Sequence, residues 1–265
     1  YLNKEKYQIE IINTPRLDNI FLLPFNLIII FFLVIKSFIF LKKKKIDQLF
    51  STGGYMSLPL VLAGKFLNIR IYLLEPNWVL GRANKLFLRY CKKIFCYSEK
   101  IKNFPENFKN KIVIINPLVG KEFYNIKKDK NKSKKFNILV VGGSQGANIF
   151  DQDLKKSITN LSKKFEIKII QQTQKKNIFY LEKFYSKNNI ENIIFDYDKN
   201  FVQKILQSDI CITRGGATTL AELSIMKVPF IVVPLPTSKD NHQLANANFY
   251  ENKNCCWIIS QNLFN

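Results

Sequence analysis

Two junctions of apolar strand, glycine turn and helix constrain this chain more than any other feature of it. The first runs from Asn137 to Val141 and turns through Gly142-Gly143-Ser144-Gln145-Gly146-Ala147 into a helix. The second has the run Asp209-Ile210-Cys211-Ile212-Thr213, the turn Arg214-Gly215-Gly216, a helical segment from Ala217 to Met226 and a further strand, Pro229 to Val233. Glycine lets backbone approach a ligand closely, and a helix that starts there aims free N–H groups and the positive end of its dipole at it. Each junction is half of a nucleotide-binding α/β unit. Such an edge suits something anionic or polyhydroxylated.

The alternation extends over most of the chain. Strands are predicted at Gln8–Ile12, Asp47–Ser51, Ile69–Leu74, Ile94–Tyr97, Ile112–Ile115, Ile167–Ile170 and Asn192–Phe195, and helices at Ser57–Leu67 and Ala83–Lys93. The stretch Asn125 to Lys135 is rich in lysine and asparagine and has no apolar periodicity, so it reads as a linker. The fold class is therefore α/β, with two Rossmann-like domains of mostly parallel sheet, residues 1–125 and 136–265.

Charge narrows the partners. Lys and Arg number 41 against 20 Asp and Glu, a formal net charge of +21. That excess favours anionic partners, or it is a solvated lysine-rich surface. The lysines are spread along the chain without an aromatic-interleaved basic motif or a groove-binding helix, which argues against nucleic acid. Five cysteines without metal-ligand spacing fit a reducing compartment. His242 is the only histidine, so a histidine metal site or a Ser-His-Asp triad would have to depend on it.

From Ile20 to Leu41 the chain holds one charge, Lys36, and is followed by Lys42 to Lys45. This run is long enough to span a bilayer. Pro24, Asn26, Lys36 and Ser37 interrupt it, which suits a helix partly buried against a sheet and partly dipped into the membrane interface, its lysines at the head groups. Both readings stand.

The glycine stretch at 142–147 lacks the lysine of a P-loop and the full dinucleotide spacing. Backbone N–H groups and the Ser144 hydroxyl suit a diphosphate; a tight turn with no ligand is the plain alternative. Thr219 to Glu222 has capping-box spacing, so Glu222 either bonds its own helix start or accepts two vicinal ribose hydroxyls. His242, Gln243 and Asn246 could read sugar hydroxyls or simply start a solvated helix, and Glu75 and Asn77 are equally open.

Taken together, Gly53-Gly54-Tyr55, Glu75-Pro76-Asn77 with Gly81-Arg82-Ala83-Asn84, Asn116-Pro117, Gly142 to Ala147, Arg214 to Glu222 and Asp240 to Ala247 resemble the MurG family. These are the UDP-N-acetylglucosamine:lipid I N-acetylglucosaminyltransferases of peptidoglycan synthesis. The resemblance implies a GT-B fold, two Rossmann-like domains facing a cleft. It also implies a peripheral enzyme on the cytoplasmic face of the plasma membrane, with Ile20–Lys45 as its contact to anionic lipid. By the same resemblance Ser144 meets the diphosphate and the uracil lies against backbone near Asp198. Ala217, Thr218, Thr219 and Leu220 run along the donor, and Glu222 holds the ribose. Gln243 contacts sugar hydroxyls, with Asn246 nearby and Asn77 reaching in from the other domain.

The implied reaction is an inverting transfer from UDP-N-acetylglucosamine to lipid I, without metal or other cofactor, the leaving charge being met by preorganised N–H dipoles. The chain departs from the family at Leu74 and Pro76, where a histidine and a glutamine are expected, and at Val119, where an arginine is expected. The family's first glycine loop, with the histidine proposed as acceptor-side base, would precede Tyr1, and its last helices would follow Asn265. The chain is thus expected to be a central portion, truncated at both ends, whose base is unknown. Two rivals remain at this point, another GT-B lipid glycosyltransferase and a non-catalytic basic protein of the membrane surface.

Overall fold

A computed structural model describes residues 7–15, 21–124 and 134–264. The chain divides into two compact units, Tyr1–Asn116 and Pro117–Asn265.

The first unit contains α1 (Leu23–Lys43), β1 (Gln48–Ser51), α2 (Leu58–Phe66), β2 (Arg70–Glu75), α3 (Arg82–Phe87), β3 (Lys93–Cys96) and β4 (Ile112–Ile114). Its four strands are all parallel, in the order β1-β2-β3-β4. Period-two alternation sends Ile71, Leu73, Ile94 and Cys96 to one face, where they pack with Val61 of α2 and Phe87 and Leu88 at the end of α3. On the other face Phe50, Tyr72 and Phe95 form a three-ring cluster, with ring centres 4.9 Å, 6.0 Å and 6.3 Å apart for Phe50–Tyr72, Phe50–Phe95 and Tyr72–Phe95.

Helix α1 is apolar on both sides, burying Ile30 and Leu41 and packing Val34, Phe38 and Phe40 against the rest of the first unit. Its buried residues include Asn26 and Ser37, whereas Phe25, Ile28, Phe31, Phe32 and Ile39 are exposed. Pro24 stands in its first turn, where a missing N–H costs nothing, so it starts the helix rather than breaking it.

The second unit contains β5 (Phe136–Val141), α4 (Gly143–Ser162), β6 (Ile167–Gln172), α5 (Ile178–Lys187), β7 (Glu191–Phe195), α6 (Phe201–Leu206), β8 (Ile210–Thr213), α7 (Ala217–Ile225), β9 (Phe230–Val232), α8 (His242–Glu251) and β10 (Cys256–Ile258). The sheet order is β10-β9-β8-β5-β6-β7, all parallel. The chain builds outward from β5 to β7 and then returns to the other side of β5 with β8. This reversal creates a switch point between β5 and β8, the place where doubly wound sheets bind ligands beyond their carboxyl ends. Ile138, Val140, Phe150, Ile169, Leu181 and Ile212 fill the core on one face.

Three expectations are corrected here. Gln8–Ile12 forms no strand; the segment is irregular and mostly exposed, tied down beyond it by the Thr14 hydroxyl donating to the Met56 carbonyl at 3.3 Å. The helix expected to reach Lys93 stops at Phe87. There the Lys111 ammonium donates to the carbonyls of Leu88 (2.7 Å) and Cys91 (2.8 Å), and Lys93 is needed to pair with Tyr72. The third concerns the first glycine turn, in which α4 already begins at Gly143. Of the expected 125–135 linker, residues 125–133 lie outside the described residues, as does Ile20.

Candidate functional site

Val141 and Thr213 pair across β5 and β8, so Gly142 and Arg214 leave the sheet side by side. The helices that follow, α4 and α7, both start at this edge and direct their unsatisfied N–H groups and positive dipole ends to it. Ser144 lies in the first turn of α4; its side chain is outside the described residues.

The two glycines after Arg214 do different work. A Cβ on Gly215 would stand 2.3 Å from the Gln243 carbonyl oxygen, because the first turn of α8 is pressed against it. The contact is locked by hydrogen bonds: the Gly215 N–H donates to Gln243 Oε1 at 3.2 Å, and Asn246 Nδ2 donates to the Gly215 carbonyl at 2.9 Å. Gln243 Oε1 also accepts the Leu235 N–H at 2.9 Å. Gly216, by contrast, has nothing among the described residues within 4 Å of its would-be Cβ and is the N-cap of α7. The backbone there faces open space, as close approach of a ligand requires.

Along α7, Ala217 and Leu220 are buried, Thr219 is half-buried and Thr218 is exposed. The capping-box alternative for Glu222 fails. With Gly216 as N-cap, the third helical position is Thr219 and Glu222 is the sixth, out of reach of the first amides, and no side chain caps the helix. Glu222 is half-buried, and among the described residues no hydrogen bond or ion pair reaches its carboxylate. Burial first, and the Glu122 carboxylate second, push its carboxyl up to about 7. Among the described residues it is an acceptor without a donor.

Asp198 lies beyond β7, two strands out from β5. Its carboxylate accepts the Lys204 ammonium at 2.8 Å and the Asn200 N–H at 2.7 Å, in that order the causes that hold it below the ordinary carboxylate range. The side chain is thus engaged in its own loop. Ser144, Ala217 to Leu220, Glu222, Gln243 and Asn246 belong to elements that begin at the carboxyl ends of β5, β8 and β9.

Asn77 is in the first unit. There Glu75, 2% exposed, organises the loop after β2. Its Oε1 accepts the Asn77 N–H (3.2 Å) and Nδ2 (3.0 Å), and its Oε2 accepts the Gly81 N–H (2.7 Å) and Asn84 Nδ2 (3.0 Å). Asn84 in turn packs against Gly53, where a Cβ would stand 2.8 Å from its Oδ1; with φ +80° Gly53 has two reasons to be glycine. Glu75 is therefore the hub that positions Asn77.

Two groups escaped the sequence reading. Asp151 of α4 is 4% exposed and accepts Gln171 Nε2 (2.8 Å), the Thr173 hydroxyl (2.6 Å) and Asn177 Nδ2 (2.8 Å); the Tyr185 hydroxyl donates to Gln171 Oε1 (2.8 Å). This network fixes α4 to the end of β6. The other is Arg214, named only as part of a turn, whose side chain is 7% exposed. Among the described residues no three His, Cys, Asp or Glu side chains are grouped to hold a metal ion.

Comparison with known proteins places this geometry. Residues 1–96 match the Glycosyltransferase family 28 N-terminal domain, and residues 137–265 the Glycosyltransferase family 28 C-terminal domain. The chain is similar to the UDP-N-acetylglucosamine--N-acetylmuramyl-(pentapeptide) pyrophosphoryl-undecaprenol N-acetylglucosamine transferase of Pelagibacter ubique (strain HTCC1062). It is 49% identical to it over 98% of this chain and 74% of that protein. The transferase of the same description from Rickettsia felis is 33% identical over 99% of this chain and 75% of its own length. Among solved structures, MurG of Acinetobacter baumannii superposes with a TM-score of 0.71 at 26% identity, covering 97% of this chain and 70% of that one. With two parallel α/β units of GT-B type and these relatives, the chain belongs to glycosyltransferase family 28 and, within it, to the MurG family.

Proposed function

We propose that this protein transfers N-acetylglucosamine from UDP-N-acetylglucosamine to the muramyl sugar of undecaprenyl-diphosphate-linked N-acetylmuramoyl-pentapeptide, with inversion, in peptidoglycan synthesis. The observation that carries the donor half of this reading is Glu222, a half-buried carboxylate with no partner among the described residues, on the helix that starts at the switch point. Two acceptor oxygens match the two vicinal hydroxyls of a ribose. The diphosphate then lies against the starts of α4 and α7, with Ser144 in the first turn of one and Ala217, Thr218, Thr219 and Leu220 along the other. Their fixed N–H dipoles stabilise the charge that develops on UDP as the bond to the sugar breaks. Gln243 and Asn246 hold the Gly215 turn, and the half-buried Gln243 amide is left to meet sugar hydroxyls. The uracil rests against backbone near Asp198. Asn77, held by Glu75, serves from the unit that takes the acceptor.

Residues 1–125 are proposed as the acceptor and membrane-associating domain and 136–265 as the donor domain. The protein is proposed to sit peripherally on the cytoplasmic face of the plasma membrane through α1. That helix is long and apolar enough to cross a bilayer. Its exposed apolar face, with Phe25, Ile28, Phe31, Phe32 and Ile39 outward while Ile30 and Leu41 are buried, supports lying in the interface against α2. Lys36 and Lys42 to Lys45 then meet anionic head groups.

Calorimetric titration with UDP-N-acetylglucosamine and UDP-galactose, followed by turnover of lipid I, tests the reading. Selective binding of the first donor and formation of the disaccharide lipid are expected. Equal affinity for both donors, or product only with a lipid lacking the muramyl sugar, would point to a different lipid glycosyltransferase.

A further inference from the structure

Arg214 leaves β8 at the switch point and turns inward. Its guanidinium lies over Phe150 of α4, 5.2 Å from the ring centre, and Nη1 donates to the Val233 carbonyl just beyond β9 at 2.9 Å. Among the described residues Nε is buried with no acceptor, and no carboxylate pairs with the group. Burial accordingly pulls the guanidinium below its usual range. A buried charge without a counter-charge is costly, and an aromatic face and one carbonyl offset only part of that cost. An apolar side chain of similar length would pack between Phe150 and Val233 without the penalty. The charge is therefore kept for an anion that the protein itself does not supply. The position says where: Arg214 lies between α4, β8 and β9, on the same edge from which the N-termini of α4 and α7 face outward.

We propose that Arg214 is the fixed counter-charge of the donor diphosphate, acting through the low-dielectric edge of the sheet on diphosphate binding and on departure of UDP. This rests on the donor reading of the second unit. In the transfer, the acceptor hydroxyl oxygen bonds to the anomeric carbon and its proton leaves to solvent. The bond from that carbon to the β-phosphate oxygen breaks, and its electron pair stays on the phosphate. The added negative charge on UDP is what a nearby buried cation favours.

The test uses the full chain with Arg214→Met and Arg214→Lys, titrated with UDP-N-acetylglucosamine and with uridine, alongside thermal melting. Arg214→Met should bind UDP-N-acetylglucosamine at least about tenfold more weakly and uridine within about twofold of wild type. Its unliganded melting temperature should equal or exceed that of wild type. Arg214→Lys should recover part of the lost affinity. Unchanged affinity for UDP-N-acetylglucosamine overturns the proposal. So does equal weakening of both ligands with a lower melting temperature, or failure of Arg214→Met to fold, since each marks a strut rather than a counter-charge. A wild-type chain that binds neither ligand overturns the donor reading itself.

Discussion

At Glu222, folding and donor binding pull in opposite directions, and Glu222→Gln separates them. The folded protein holds this proton more tightly than the unfolded chain, with the carboxyl raised from 4.5 to about 7. The group's effect on stability is therefore neutral at pH 4.5, turns unfavourable as pH rises toward 7, and stands in full above it. The gap of about 2.5 pH units is worth about 3 kcal/mol for a fully buried group. Solvent reaching the half-buried carboxylate reduces that to about 1 kcal/mol. Glutamine keeps the shape and drops the charge, so at pH 8 the unliganded variant should melt roughly 2–4 °C higher. At pH 4.5 the two proteins should melt together. Donor binding should move the other way. Hydrogen bonds to a charged group contribute about 1.5–3 kcal/mol each, and glutamine retains one acceptor oxygen for two hydroxyls. A loss of about 2 kcal/mol, roughly thirtyfold in Kd for UDP-N-acetylglucosamine by calorimetry, follows. Equal donor affinity at pH 8 in a folded variant would remove Glu222 from the ribose, and a lower melting temperature would mean its carboxylate is internally partnered after all.

Three other outcomes can be checked directly. Replacing Ile28, Phe31 and Phe32 of α1 by serine should release the protein from acidic phospholipid vesicles in a sedimentation assay while leaving UDP-N-acetylglucosamine affinity unchanged; continued co-sedimentation would reject the interfacial helix. Gly215→Ala forces a Cβ into the Gln243 carbonyl and should cost about 3 kcal/mol in denaturant unfolding, whereas Gly216→Ala should stay within about 1 kcal/mol of wild type and raise the KM for the donor. If both variants are equally stable, the pressing of α8 against Gly215 is not as described. Asp151→Ala strands three donors and should destabilise by about 3 kcal/mol; a change under about 1 kcal/mol would mean water replaces the carboxylate.

The order of strands and glycine turns was legible because parallel strands buried on both faces are written as unbroken apolar runs, and each ends in residues that only a turn or a helix start needs. Where that signal was weak, the reading slipped. Ile9, Ile11 and Ile12 look like strand residues, but they join neither open edge of the sheet, β1 or β4, and the segment is held instead by side-chain hydrogen bonds at Gln8 and Thr14. Thr219 and Glu222 have the spacing of a cap; one glycine, placing the helix start at 216, decides that they are not one. Asp151 sits in an amphipathic helix between Phe150 and Gln152 and reads as surface, since its three donors come from β6 and the loop after it, some 20 residues on and more. Likewise nothing in Arg214-Gly215-Gly216 says which way the arginine turns. Local chemistry is written in sequence; burial by distant elements is not.

The lock between Gly215 and α8 has a consequence for re-engineering sugar preference. Because Gln243 and Asn246 grip the turn from which α7 starts, residues 214–251 form the smallest cassette that can be exchanged between relatives without tearing it. Transplanting α7 alone would leave a foreign turn against a native α8 that no longer fits it.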